Sequence, residues 1–183
     1  MFARYRRHLA GAVLPVLLLG LAVVSPGVPL FASTRQPRDL GDKVRHELVM
    51  LPFYGVFDNL SYRIEGTDTV VLAGQVTRPT LKSSAEAVVR KIEGVKDVVN
   101  DIEVLPLSPM DDSIRLATYR AIFFRPGFER YAVQAVSPIR IIVKNGNITL
   151  EGAVGNQVDK SVAAMAARSV PFVFSVTDNL KIG

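Results

Sequence analysis

Cysteine is absent from the 183-residue chain, and histidine occurs only twice. The lack of cysteine excludes disulfide bonds, thiolate nucleophiles, cysteine-bound zinc or iron–sulfur clusters, and lipid attachment through an N-terminal cysteine. The chain also lacks a glycine-rich phosphate loop, a Gly-x-Ser-x-Gly elbow and a His-Glu-x-x-His motif. The sequence therefore predicts a protein that is not an enzyme and that holds no cofactor or metal.

The few residues that could carry chemistry have simpler interpretations. His46 is followed by Glu47, but adjacent helix positions point in different directions, so we expect a surface histidine rather than a general base. Asp111 and Asp112 could form a metal site. A pair of acidic residues at the start of a helix is, however, typical of helix capping, which is the interpretation we favour.

A strong charge of one sign is lacking too. The net charge of +5 includes Arg4, Arg6 and Arg7, and from Thr34 onward 19 basic residues face 17 acidic ones. This balance predicts that nucleic acid is not a partner, because such proteins carry a strong basic patch. Residues 39–108 hold 8 basic and 11 acidic side chains, whereas residues 109–183 hold 9 and 6. The opposite signs suggest that the two halves meet different partners.

The N-terminal segment has the pattern of a secretory signal. Its arginines precede an apolar run from Leu9 to Val24, and Ser25-Pro26-Gly27 follows. A spanning helix needs about 20 apolar residues, and this run is shorter. We therefore expect residues 1–33 to be a signal peptide, or alternatively an uncleaved membrane anchor, and the protein to be periplasmic or otherwise exported.

The rest of the chain contains an internal repeat. Residues 70–76 align with residues 148–154 at an offset of 78, and residues 99–104 align with residues 177–182. Each copy has the order helix–strand–strand–helix–strand, with apolar periodicity to match. The predicted fold class is α+β, with two tandem αββαβ modules after the N-terminal signal segment. We place the domains at residues 39–107 and 109–183 and expect the copies to pack together.

Helix and turn signals support this division. In the first copy we predict helices over 42–51 and 81–93, the latter ended by Gly94. In the second copy we predict a helix after Asp111 or Asp112, and another over 156–168. On the first of these, four residues share an apolar face: Ile114, Ala117, Ala121 and Phe124. The structural turn positions are Asn145 and Gly146, a strong hairpin signal, together with Gly74 and Gly152 in the strands that follow the turns.

The stretch 141–154, with Asp178-Asn179 before the final strand, resembles the BON domain family. The first copy matches through residues 70–76 and 94–101 but has Gly66-Thr67-Asp68-Thr69 in place of the Asn-Gly turn. The chain thus resembles envelope proteins that carry two such domains. The resemblance implies an envelope or periplasmic setting, a non-catalytic role, and association with phospholipid surfaces or envelope proteins.

The most distinctive segment joins the first helix of the second copy to its strand. Aromatic rings among arginines beside a Pro-Gly turn could enter a lipid interface while the guanidinium groups pair with phosphates. The candidate lipid- or partner-binding residues are Arg120, Phe123, Arg125, Phe128 and Arg130. Alternatively, Phe124 and Phe128 fill the core and the arginines are ordinary solvated charges.

A second candidate is the apolar run 170–174. It could form a contact surface, although packing within the core or between the copies explains it as well. The sequence thus predicts a non-catalytic envelope protein that associates with an anionic phospholipid membrane or an envelope protein and supports envelope integrity or stress tolerance. The alternative is a protein–protein or cell-wall interaction module without lipid binding. Self-association is left open.

Overall fold

The computed structural model describes residues 37–183, with side chains from residue 39 onward. The predicted signal peptide or membrane anchor at residues 1–33 lies outside the described residues. Residues 37–183 belong to one compact unit.

The first module consists of two helices packed against one sheet. Its elements are α1 (Pro37–Val49), β1 (Asn59–Glu65), β2 (Thr69–Val76), α2 (Pro79–Val89), β3 (Asp97–Asn100) and β4 (Glu103–Val104). Strand β2 is central: it pairs antiparallel with β1 and parallel with β3 and β4. The last strand of the module is therefore interrupted between β3 and β4.

The second module repeats this order with one addition. Its elements are α3 (Pro109–Phe123), α4 (Glu129–Ala132), β5 (Ile139–Lys144), β6 (Asn147–Val154), α5 (Gln157–Arg168), β7 (Ser175–Asp178) and β8 (Lys181–Ile182). Strand β6 pairs antiparallel with β5 and parallel with β7 and β8. The predicted α+β fold with two αββαβ modules is confirmed, and the added residues of the second copy form α4 and its flanking loops.

The interruption of the last strand has the same cause in both modules. The side-chain oxygen of Asn100 accepts the backbone N–H of Ile102 at 3.3 Å, and that of Asp178 accepts the N–H of Leu180 at 3.1 Å. Each turn directs the following aliphatic side chain inward, and both Ile102 and Leu180 are buried.

Several predicted helix limits are wrong. Helix α1 begins at Pro37 rather than near residue 42, and α2 ends at Val89, so Gly94 lies in the turn beyond it. Helix α3 is capped by Ser108, whose hydroxyl accepts the N–H of Asp111 at 3.2 Å. Its cap is therefore not an aspartate, because the Asp111 carboxylate is engaged elsewhere.

Asp111 binds the β5–β6 hairpin instead of its own helix end. The turn consists of Asn145 and Gly146, with φ of 51° and 74°, as a two-residue hairpin turn requires. Their N–H groups donate to the buried Asp111 carboxylate at 2.9 and 2.8 Å. This contact fixes the start of α3 against the tip of the hairpin.

Each module buries one apolar core between its helices and its sheet. The first core consists chiefly of Val44, Leu48, Val70, Leu72, Leu81, Ala85, Val89 and Ile102. The second consists chiefly of Ile114, Ile122, Phe123, Phe128, Ile139, Ile141, Ile148, Leu150, Ala163, Ala166 and Leu180. The apolar face predicted for α3 is thus partly wrong, because Phe124 follows the helix and is exposed.

The two modules are joined by the loop after α1. The N–H of Ile141 donates to the carbonyl of Val56 at 2.8 Å, and Val56 and Phe57 pack against the second core. Arg140 donates to the carbonyl of Gly55 at 2.8 Å and lies over the Tyr54 ring. Because of this loop, β5 is buried on both faces, so the copies pack together as expected.

Gly74 and Gly152 occupy equivalent positions in the two central strands. A Cβ at Gly74 would lie 2.0 Å from the carbonyl oxygen of Asn59, and one at Gly152 would lie 2.0 Å from that of Pro138. Both glycines also have positive φ, of 118° and 111°. The neighbouring strand therefore approaches so closely that only glycine fits.

Replacing either glycine by alanine should destabilise its module. We expect Gly74→Ala and Gly152→Ala each to lower the free energy of unfolding by about 3 kcal/mol, because the new Cβ forces both backbone strain and displacement of the paired strand. Urea denaturation measures this. The control is Gly66→Ala, which has positive φ but nothing within 4 Å of the added Cβ, and which should cost only about 1 kcal/mol. Equal losses at all three positions would contradict the close-approach argument.

Candidate functional site

The arginine–aromatic segment forms the connection from α3 to β5. Two of its aromatic rings face inward: Phe123 and Phe128 are each 3% exposed. Phe128 also lies beside the buried Tyr131, with ring centroids 5.5 Å apart. These rings anchor the connection to the second core, so in this conformation they do not reach the surface.

Arg130 belongs to a polar cluster at the N-terminus of α5. It forms an ion pair with Asp159, which also accepts the Tyr131 hydroxyl at 2.5 Å and the Asn156 amide at 3.1 Å. Tyr131 in turn accepts the N–H of Gly155 at 2.8 Å. The Arg130 guanidinium is thus committed to holding α4 against α5, although half of its side chain remains exposed.

The remaining members of the segment are exposed. Arg120 and Phe124 lie four residues apart and so share one side of α3 at its C-terminal end. Phe124 is 74% exposed, and Arg125 folds back so that its Nε donates to the carbonyl of Ala121 at 2.9 Å. We call Arg120, Phe124 and Arg125 the arginine–phenylalanine edge. Of the five predicted residues, the structure therefore leaves Arg120 and Arg125 free of buried contacts and adds Phe124.

The stretch of sequence that contains this edge is rich in basic residues, although Arg115 and Arg130 are paired with Asp112 and Asp159. Residues 113–150 contain six basic side chains and a single acidic one, Glu129. The Glu129 carboxylate accepts the N–H of Gly127 at 2.7 Å and so stabilises the turn that follows the edge. Farther along the connection, Val133 and Val136 are also exposed.

The apolar run 170–174 alternates between inside and outside. Val170 is buried and Val173 packs against the second core, whereas Phe172 and Phe174 are 73% and 83% exposed. The expectation of core packing thus applies to the valines alone. Phe174 lies over the hairpin turn, since a Cβ on Gly146 would be 2.7 Å from its Cδ2 atom. We call Phe172 and Phe174 the aromatic tip.

Phe172 is held in a left-handed backbone conformation, with φ of 65°. At the repeat offset of 78, the first module has Gly94 in its place, also with positive φ, and exposed Lys96 in place of Phe174. A phenylalanine in this conformation is strained, whereas glycine is not. No sequence pattern indicated this strain, which is visible in the backbone conformation of Phe172.

A groove of about 680 Å³ lies between α1 and α2 of the first module. His46, Asp42 and Glu47 line its α1 side, and Val88 and Ile92 line its α2 side. In residues 37–183 no group of three or more histidine or carboxylate side chains is placed to hold a metal ion. Over the same range, no helix is both long and apolar enough to cross a membrane.

Asp159 makes the stability of the second module depend on pH. The hydrogen bond from Tyr131, and then the contact with Arg130, lower the pKa of Asp159 in spite of the opposing effect of burial. A carboxyl whose pKa is lower in the folded than in the unfolded state stabilises the fold above its unfolded pKa of about 3.9. That contribution is lost as the pH falls from there through the lower folded pKa.

We therefore expect Asp159→Asn to lower the urea midpoint at pH 7, with a difference from the unaltered chain that narrows below about pH 4. Urea denaturation at a series of pH values measures the midpoint and its change with pH. Asp39→Asn is the control, because the side chains of Asp39 and its partner Lys43 both lie at the surface. If the difference in urea midpoint between Asp159→Asn and the unaltered chain does not change with pH, the role assigned to Asp159 is wrong.

Phe172→Gly should make the fold more stable, since glycine relieves the left-handed strain at a residue with little buried surface. We expect a gain of about 0.5–1 kcal/mol, the strain released less the added flexibility of the unfolded chain. Phe174→Gly, which has no positive φ to relieve, should instead lower the stability. Thermal and urea denaturation compare the two, and a destabilised Phe172→Gly would show that the ring serves the fold.

Comparison with known proteins identifies the repeated module. The family model of the BON domain matches residues 39–106 and 129–183. No curated protein sequence matches the chain.

Among solved structures, the chain is similar to the C-terminal domain of CdsD, described as the structural protein of the type III secretion system of Chlamydia trachomatis. The match has 12% identity and a TM-score of 0.29, and it covers 79% of this chain and 98% of that one. A second CdsD structure gives 12% identity, a TM-score of 0.30, and coverage of 79% and 93%. Likeness at this level supports no conclusion about function. The two family-model matches, together with the duplicated fold, show that the chain belongs to the BON domain family.

Proposed function

We propose that this chain is a non-catalytic binding protein of the bacterial envelope whose second module associates with anionic phospholipid surfaces and so supports envelope integrity. The observation that carries the proposal is the arginine–phenylalanine edge, in which an exposed phenylalanine has an exposed arginine before and after it in the chain. The signal-like pattern of residues 1–33 supports an exported location.

The edge is suited to a lipid interface because it is held rigidly. Phe123 and Phe128 fix the backbone on either side of it, so little conformational entropy is lost when Phe124 enters the headgroup region. A guanidinium group can bind a phosphate through two parallel hydrogen bonds, and Arg120 and Arg125 flank the ring. The second module has 9 basic and 6 acidic side chains over residues 109–183, and this positive net charge favours an anionic surface over a neutral one.

We also propose that the second domain starts at residue 109. The family match begins only at residue 129, but α3 supplies Ile114, Ile122 and Phe123 to the second core. Without α3, one face of β5 and of α5 would be left uncovered. The edge therefore belongs to the second module rather than to a linker, and we keep the first domain at residues 39–107.

Co-sedimentation of residues 35–183 with anionic and neutral vesicles tests the proposal. We expect salt-sensitive binding to anionic vesicles only. Each basic residue near an anionic surface contributes about 1 kcal/mol, so Arg120→Gln with Arg125→Gln should weaken binding roughly 30-fold. Phe124→Ser should weaken it further, in a manner that salt does not alter.

The matched control is Arg63→Gln with Arg90→Gln, which removes the same charge from exposed arginines of the first module. Similar losses in both double variants would show a general charge effect and remove the assignment of the edge. If the unaltered chain binds neither kind of vesicle, the lipid proposal fails, and a protein or cell-wall partner takes its place.

A further inference from the structure

We infer that copies of this chain associate head to tail, the aromatic tip of one second module docking in the α1–α2 groove of another copy's first module. Within one copy the aromatic tip does not contact the groove, because both rings are exposed and neither lines the groove. A second copy is the partner we propose, because the two modules carry opposite net charges.

The tip lies at the opposite end of the second sheet from the arginine–phenylalanine edge. The edge leads into the start of β5 at Ile139, whereas Phe174 packs over the hairpin turn that follows Lys144. A module that rests on a surface through its edge therefore keeps its tip free.

The fold does not require aromatic residues at the tip. The first module forms the same connection between its second helix and its last strand with Gly94 and Lys96 in place of Phe172 and Phe174. It also has Glu93 where the second has Pro171. The second module thus keeps two exposed rings, one of them on a strained backbone, where a glycine and a lysine suffice. Strain at an exposed position points to a role in binding.

The first module has a groove where the second module is closed. Val88 and Ile92 are only partly buried, but their counterparts at the offset of 78, Ala166 and Val170, are buried. Helix α5 presents Ala163, Ala166 and Ala167 to the core, and small side chains let packed helices approach closely. The larger side chains of the first module, Val88 and Ile92, line the groove instead. The aromatic tip and the groove that could receive it therefore lie on different modules.

The charges of the modules are complementary. Residues 39–108 carry a net charge of −3, from 8 basic and 11 acidic side chains, and residues 109–183 carry +3, from 9 and 6. Asp42 and Glu47 line the groove beside Lys43 and Lys91, so the complementarity lies in the net charges of the modules. Exposed Arg168 ends α5 four residues before Phe172. Like modules repel and unlike modules attract, which favours a head-to-tail contact over a symmetric one.

The contact is expected to be weak. Aromatic side chains bury about 150–250 Å² each, so two rings contribute far less than the roughly 1,200 Å² of a stable interface. Association should accordingly depend on local concentration and fall as salt screens the charges.

Cysteine cross-linking of the full chain tests the inference without interference from native thiols, because the chain has no native cysteine. Pro171→Cys places a thiol beside the tip and Lys91→Cys places one at the groove, and both positions are exposed. On oxidation, we expect the mixture of the two variants to form disulfide-linked dimers. Each variant alone should form far fewer, and high salt should reduce the yield of the mixture.

Two further samples make the result specific to the rings. Adding Phe172→Gly and Phe174→Ser to the Pro171→Cys chain should reduce the mixed dimer to the background given by Leu107→Cys, a nearly fully exposed position between the modules. Both rings are largely exposed and the first module folds without them, so the double variant stays folded and loss of the dimer reports docking.

A mixed dimer at the Leu107→Cys level, or one unaffected by removal of the rings, would overturn the inference. A dye attached at Pro171→Cys gives the remaining outcome. If it enters an apolar environment only when anionic vesicles are added, and no mixed dimer forms, the tip contacts membrane and the second-copy inference is wrong.

Discussion

Both modules depend on a central strand that is paired on both sides. Strands β2 and β6 each form an antiparallel ladder with the preceding strand and a parallel one with the last strand of the module. A parallel neighbour requires a crossover, which α2 and α5 supply while covering the core. This arrangement places the hairpin turn and the connection from the second helix to the last strand at one end of the sheet. The connection from the first helix to the first strand lies at the other end. The two candidate surfaces of the second module follow from that geometry.

Much of the fold was predictable because the apolar periodicity is strong and occurs twice. The alternation of Ile139, Ile141 and Val143, followed by Asn145-Gly146, specifies the hairpin through local chemistry alone. The offset of 78 then transfers the same strand order to the weaker first copy. Helix ends were less predictable, because competing acceptors lie far away in sequence. Asp111 could cap α3, yet it binds turn residues 34 and 35 positions later, and Ser108 takes over the cap.

The candidate site was only partly predictable for a related reason. Residues 122–124 are all apolar, so the sequence does not tell which ring follows the helix end outward. The structure turns Phe123 inward and Phe124 outward, because α3 ends between them. Likewise, burial of Arg115, which donates to the carbonyl of Val143 at 2.8 Å, has no sequence signature. The apolar run 170–174 shows the same ambiguity, since it forms the turn before β7 and nothing in its sequence tells that the valines face the core and the phenylalanines face outward.

The hydrogen bond from Ile141 to Val56 has a consequence for how the duplication persists. Strand β5 forms the outer border of its sheet, and an uncovered border strand offers free N–H and carbonyl groups to any extended chain nearby. Here the loop 54–58 of the first copy occupies that position and buries both faces of β5. Each copy can therefore diverge in surface and charge, but the second copy cannot be released from the first without exposing an aggregation-prone strand.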